Sequence, residues 1–165
     1  MSSPEHKELI WNLIKDVKVG MLVTKDEEGE SMHARPMQLV QDAYDGTLYF
    51  YTSKNAAKIF EIREDRDVCL TFSEPKDQIY VSLSGNAQLS EDKALIDRYW
   101  NSYIASWFED GKEDDDLAIL KVKINKGEHW NAKKNKMIQL FEIAKAQLME
   151  SETPNLGENE KFGVK

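Results

Sequence analysis

Two lysines four residues apart, set directly after a strand that ends in hydroxyls, are the residues of this chain best placed to do chemistry. Residues 50–58 read Phe-Tyr-Thr-Ser-Lys-Asn-Ala-Ala-Lys, a strand turning straight into a helix. Lys54 falls in the first turn of that helix, where the macrodipole is positive and a cation is disfavoured by about a few tenths of a kcal/mol. Lys58 lies one turn on, on the same face, so the two ammonium groups repel weakly. A bound anion between them reverses both costs. It would also be met by Thr52, Ser53 and the free N–H groups of the helix start. A phosphate group fits this description. The other reading is structural: Ser53 caps an amphipathic surface helix with solvated lysines, Lys58 pairing with Glu61.

The elements that must hold this corner are mostly strands. Leu9, Ile10, Leu13, Ile14 and Val17 recur at helical spacing after Ser3-Pro4, predicting a helix over 4–16. Short β-like runs follow at 19–25, 31–40, 47–52, 67–73 and 78–89. Hairpin turns are expected at 26–29 (Asp-Glu-Glu-Gly) and 44–46 (Tyr-Asp-Gly). Ser90 is the expected cap of a second helix, and an acidic loop at 109–116 precedes a strand over 117–124. A last helix is expected at 137–149, then a mobile polar tail over 150–165. About six strands with few intervening helices do not alternate as a doubly wound sheet does. The expected fold is mainly β with peripheral helices, an antiparallel barrel or sandwich formed by one domain over 1–149.

Composition limits the function. The 165 residues are 41% hydrophobic and 32% charged, ordinary for one soluble domain with its own core. A net charge of −8 argues against nucleic-acid binding, which rewards clustered Lys and Arg. Any anionic ligand must be drawn by a local positive pocket, so a small ligand is expected. No apolar run is long enough to span a bilayer, and the first residues do not resemble a signal peptide; the expectation is no membrane and a cytoplasmic location. Cys69 is the only cysteine and is expected to be a small buried thiol. His6, His33 and His129 show no metal-ligand spacing, so no metal is expected. The acidic loop fails the calcium-loop pattern because Phe108 and Leu117 fall where ligands belong.

Two further segments are candidates. Arg35-Pro36-Met37 lies mid-strand, and proline cannot donate to a ladder, so this strand is an edge or is bulged. A free edge can offer its backbone groups to a planar heteroaromatic ring, with Arg35 adding a fixed charge, or Pro36 simply protects the edge from pairing. Trp130, in Glu128-His129-Trp130 after a Lys-Gly turn, is either a ring platform or a half-buried tryptophan.

Arg35-Pro36-Met37, Tyr51-Thr52-Ser53-Lys54 with Lys58, Ser84-Gly85-Asn86-Ala87, Ser106-Trp107-Phe108 and Glu128-His129-Trp130 follow one another in a familiar order. Over about residues 5–149 the chain resembles the FMN-binding split β-barrel proteins related to pyridoxamine 5'-phosphate oxidase, and within them the general stress protein 26 group. The resemblance implies a homodimer with FMN between two barrels. Arg35, Pro36 and Met37 would lie along the flavin ring, Tyr51 and Thr52 at its ribityl-phosphate end, Lys58 and Lys54 on the phosphate, and Trp130 would come from the second subunit. It implies a flavin-dependent redox role with a small-molecule partner; no catalytic residue is assigned. Alternatives are a non-catalytic flavin sensor or reservoir, or the same fold carrying haem or a deazaflavin. The chain departs from the family at Ala57, where an arginine often precedes the lysine. It departs again at Asn131-Ala132-Lys133-Lys134-Asn135, where the oxidase has its Arg-x-His substrate motif, so pyridoxamine phosphate turnover is not implied.

Overall fold

The structure is a computed structural model, and it describes residues 4–26, 29–56, 59, 61–62, 66–131 and 158–163. Helix α1 (Pro4–Ile14) is followed by β1 (Val19–Lys25), β2 (Met32–Gln38), β3 (Thr47–Ser53), β4 (Asp67–Glu74) and β5 (Ile79–Ser90). Then come α2 (Lys93–Tyr99), the single turn α3 (Ser102–Ala105), the long β6 (Leu117–Asn131) and β7 (Glu158–Gly163). All pairings are antiparallel, in the order β2-β1-β4-β5-β6-β3, with β7 also on β6.

Alternation builds the barrel. Strand β3 buries Leu48, Phe50 and Thr52 on one face, and β4 buries Val68, Leu70 and Phe72. With Leu22, Leu83, Leu120 and Val122 these line the interior, and α1 adds Ile10, Leu13 and Ile14 from one turn-spaced stripe. The opposite face of β3 and β6 has a smaller core: Ile96 of α2 packs on Leu117 and Ile119, rimmed by Tyr51, Trp100 and Phe108.

The decisive irregularity lies on β6. Its first half pairs β3 from Leu117 to Lys123, and its second half pairs β7 from Lys126 to Asn131. Between them the β5 register shifts at Ser84/Gly85, which skips Asn125. Gly85 is required there, because a Cβ on it would lie 2.2 Å from the Lys123 carbonyl oxygen. The residues read as a Lys-Gly turn are therefore strand, and β6 runs seven residues beyond the expected end at 124. Residues 158–163 of the expected mobile tail are likewise strand, with Phe162 buried in the core.

Other expectations hold or shift by a residue or two. Strands 1 to 5 fall where their alternation predicts. Asp92, not Ser90, caps α2, its carboxylate accepting from Ala94 N at 3.0 Å. The 26–29 turn joins paired strands, with Asp26 accepting from the Glu30 and Ser31 amides. Residues 44–46 join β2 to β3, which are not paired but stand at opposite ends of the sheet order. Cys69 is half-buried, not interior. The helix expected at 137–149 lies outside the described residues. Among the described residues, no helix is long and apolar enough to cross a membrane.

Candidate functional site

The sheet's two terminal strands curl round to face each other: β2 and β3 come into contact without pairing. Gln41 closes part of the gap. Its buried amide imitates a missing strand, donating to the Thr47 carbonyl at 2.8 Å and accepting from Tyr49 N at 2.8 Å. By the two-residue period of a strand, Tyr51 N–H points to the same side as Tyr49 N–H. Beyond Gln41 the gap widens into a cleft of about 490 Å³, lined by Gln38 of β2, by Tyr51, Thr52 and Ser53 of β3, and by the segment from Tyr103 to Asp116.

Pro36 sits on an edge, opposite Met21 of β1, and among the described residues β2 has no second neighbour. On the inner side of this edge is a buried polar cluster. Glu61, 5% exposed, accepts from Thr24 Oγ1, from Arg35 Nη2 at 2.8 Å and from His33 Nδ1 at 3.1 Å. Arg35 Nη1 also donates to Thr24 Oγ1. Burial pushes the Glu61 carboxyl up, but the three hydrogen bonds and the Arg35 charge outweigh it and hold it below the usual carboxylate range. An ionised Glu61 can only accept, so His33 carries its proton on Nδ1 and turns Nε2 outward. Glu61 thus ties the helix after β3 to β2; its described partners do not include Lys58, which lies outside the described residues.

The strand-to-helix corner holds a carboxylate of the chain itself. Asp116 accepts from Ser53 Oγ, and its Oδ1 accepts from Asn55 Nδ2 at 2.9 Å and Asn55 N at 3.3 Å. The Ser53 bond holds the Asp116 carboxyl below its ordinary range against the effect of burial, with help from Asn55 and the Lys54 charge. Lys54 makes an ion pair with Glu91 at 2.5 Å, which raises its pKa. The Tyr51 hydroxyl donates to the Ile96 carbonyl at 2.5 Å, and burial drives its pKa upward.

Of the sequence-predicted residues, Tyr51, Thr52 and Ser53 line the cleft. Arg35, Pro36, Met37 and Lys54 do not line it: Arg35 and Met37 face inward from β2, Pro36 is exposed on the edge, and Lys54 pairs with Glu91. Trp130 is elsewhere, half-exposed on β6 between Tyr80 and Asn159. His129 is buried beside Glu160 of β7. Sequence reasoning missed Thr24 and Asp116, whose partners are distant in the chain, and Gln41, whose side chain bonds backbone groups two to eight residues on; it named Glu61 only as a partner for Lys58, and it read 109–116 as an acidic loop without placing Glu109, Asp114 and Asp116 at a cleft. Among the described residues, no cluster of His, Cys, Asp or Glu could hold a metal.

A seven-stranded antiparallel barrel with a slit between unpaired terminal strands, a few helices outside it and a cleft at the slit defines a split-barrel protein. The chain belongs to the family described as pyridoxamine 5'-phosphate oxidase like, whose model matches residues 5–155. It is similar to the crystal structure of the general stress FMN/FAD binding protein from Xanthomonas citri, with 32% identity and a TM-score of 0.70 over 81% of this chain and 93% of that one. A candidate general stress protein 26 from Jannaschia sp. CCS1 is 26% identical with a TM-score of 0.74, over 98% of this chain and all of the other (100%). The protein bli-3 of Neurospora crassa is 24% identical over 136 residues, which are 77% of this chain. The match spans 65% of that relative, less than two thirds of its length.

Proposed function

We propose that this chain binds FMN at the slit between β2 and β3 and takes part in a flavin-dependent redox reaction, as a homodimer in the cytoplasm. The observation that carries the proposal is the slit itself. The strands that carry Arg35–Met37 and Tyr51–Ser53, chosen separately in the sequence, are the two ends of the sheet, and one cleft is lined by Gln38 of the first and by Tyr51, Thr52 and Ser53 of the second. A cleft of about 490 Å³ is in the range of cofactor sites. Family membership and the flavin-binding relative from Xanthomonas citri support the same reading.

The donor set fits a flavin phosphate under one condition. Asp116 already engages Ser53 and Asn55, and Lys54 already engages Glu91. The phosphate therefore depends on Lys58, on Thr52, and on Lys54 if it exchanges Glu91 for the ligand. Arg35, Pro36 and Met37 would border the ring, with the unpaired β2 edge and Tyr51 N–H supplying backbone polar groups. The bound flavin would supply hydride or single-electron transfer, and the protein orients it and excludes water.

A planar ring needs cover on both faces, and one barrel offers one wall. The outer rows Met21–Thr71–Ser82 and Val23–Cys69–Ser84 carry no charge across β1, β4 and β5, in a chain whose net charge is −8, and end on β6 at the oppositely charged Glu128 and Lys126. That face suits a second copy, which would bring its Trp130 to the cofactor. Purified protein incubated with FMN should be yellow, with flavin absorption bands that persist through desalting. Lys58→Ala should weaken FMN binding by about 1–3 kcal/mol, the scale of a charge-assisted hydrogen bond. Protein that stays colourless after incubation refutes the proposal.

A further inference from the structure

The wall of the cleft formed by the segment from Tyr103 to Asp116 has a chemistry that a flavin phosphate does not explain. It presents Tyr103, Trp107 and Phe108 with the carboxylates of Glu109, Asp114 and Asp116, and among the described residues no Lys, Arg or His lines the cleft. Tyr103 and Trp107 are 52% and 70% exposed, unusual for large aromatic side chains, and stand edge to face with centroids 6.4 Å apart. Asp116 is held charged by Ser53 and Asn55, and Asp114 is fixed by the amides of Asp110 and Asp116. Lysines of the flanking segments are each paired with a different carboxylate: Lys54 with Glu91, Lys93 with Glu113, Lys112 with Asp97. Negative ring faces and fixed carboxylates in one concave wall attract a cation.

We infer that this wall of the cleft binds a small flat aromatic cation, and that such a compound is the reaction partner of the site; only this second clause rests on the flavin reading. Trp107 and Tyr103 would contact the ring, while Glu109 and the Asp114–Asp116 pair would face the charge.

The test uses one ring in three charge states on the flavin-free protein: nicotinamide methylated on its ring nitrogen (cationic), nicotinamide (neutral) and nicotinate (anionic), titrated by calorimetry. The cation should bind about tenfold more tightly than the neutral ring, with nicotinate weakest, as a partly desolvated cation–aromatic contact beside carboxylates predicts. Glu109→Gln should weaken the cation several-fold and leave nicotinamide unchanged, and Trp107→Ala should weaken both. No binding of the cation, nicotinate binding as tightly as the cation, or a cation preference untouched by both substitutions overturns the inference. Flavin uptake without cation preference removes this inference and leaves the flavin reading. Cation preference without flavin uptake does the reverse.

Discussion

Glu61 couples more of this site than any other single side chain. One oxygen receives Arg35 and Thr24 and the other receives His33, so a single carboxylate fixes the charge on β2 and the tautomer of its histidine. Its removal leaves a partly buried guanidinium without its counter-charge. Glu61→Gln should therefore lower stability by about 3 kcal/mol near neutral pH, as measured by denaturant unfolding. The dependence on pH follows from the direction of the shift. Because its folded-state pKa lies below its unfolded value, Glu61 stabilises fully above about pH 4–5, and that contribution is lost as pH falls through the folded value. The gap between wild type and Glu61→Gln should therefore narrow in acid. A gap that stays constant would mean that the charge on Glu61 is not what stabilises the cluster.

Among the elements, β3 depends on a side chain for part of its edge. Gln41 supplies the acceptor for Tyr49 N and a donor for the Thr47 carbonyl, substituting for the strand that the open barrel lacks. Gln41→Ala leaves both backbone groups without this partner and should reduce stability by about 1–3 kcal/mol. Amide exchange should quicken at Tyr49 in particular, and protection unchanged there would show that Gln41 does not seal the slit. The sequence marked β2 as an edge through Pro36, since an imino nitrogen has nothing to donate. It did not mark β3 as the facing edge, because the partner of β3 is an isolated glutamine side chain with no periodic signal. The end of β6 was hidden for a related reason. Asn125 and Gly127 have turn-like composition, and only the β5 register reveals that Asn125 is a bulge and Gly127 a paired residue within a continuing strand.

For the whole molecule, the proposed dimer is the most consequential expectation. The row Met21–Thr71–Ser82 is uncharged across β1, β4 and β5 and meets Glu128 on β6. Thr71→Lys would place two like charges near the centre of a two-fold interface and should yield a folded monomer with impaired flavin uptake. Light scattering coupled to gel filtration checks the mass and circular dichroism the fold. A wild-type monomer would remove the second wall that a planar ring needs.

The sequence by itself determined the positions of the first five strands, the free edge at Pro36 and the case for an anion after β3, because alternation, proline chemistry and the helix dipole act over a few neighbouring residues. Tertiary structure decided which anion answers that case in part and what stands across the slit. Asp116 reaches Ser53 and Asn55, Glu61 reaches Arg35, and the acidic loop becomes a cleft wall, through pairings set by barrel closure. Contacts between residues tens of positions apart leave no periodicity in the chain; the curvature that brings β2 to β3 creates them.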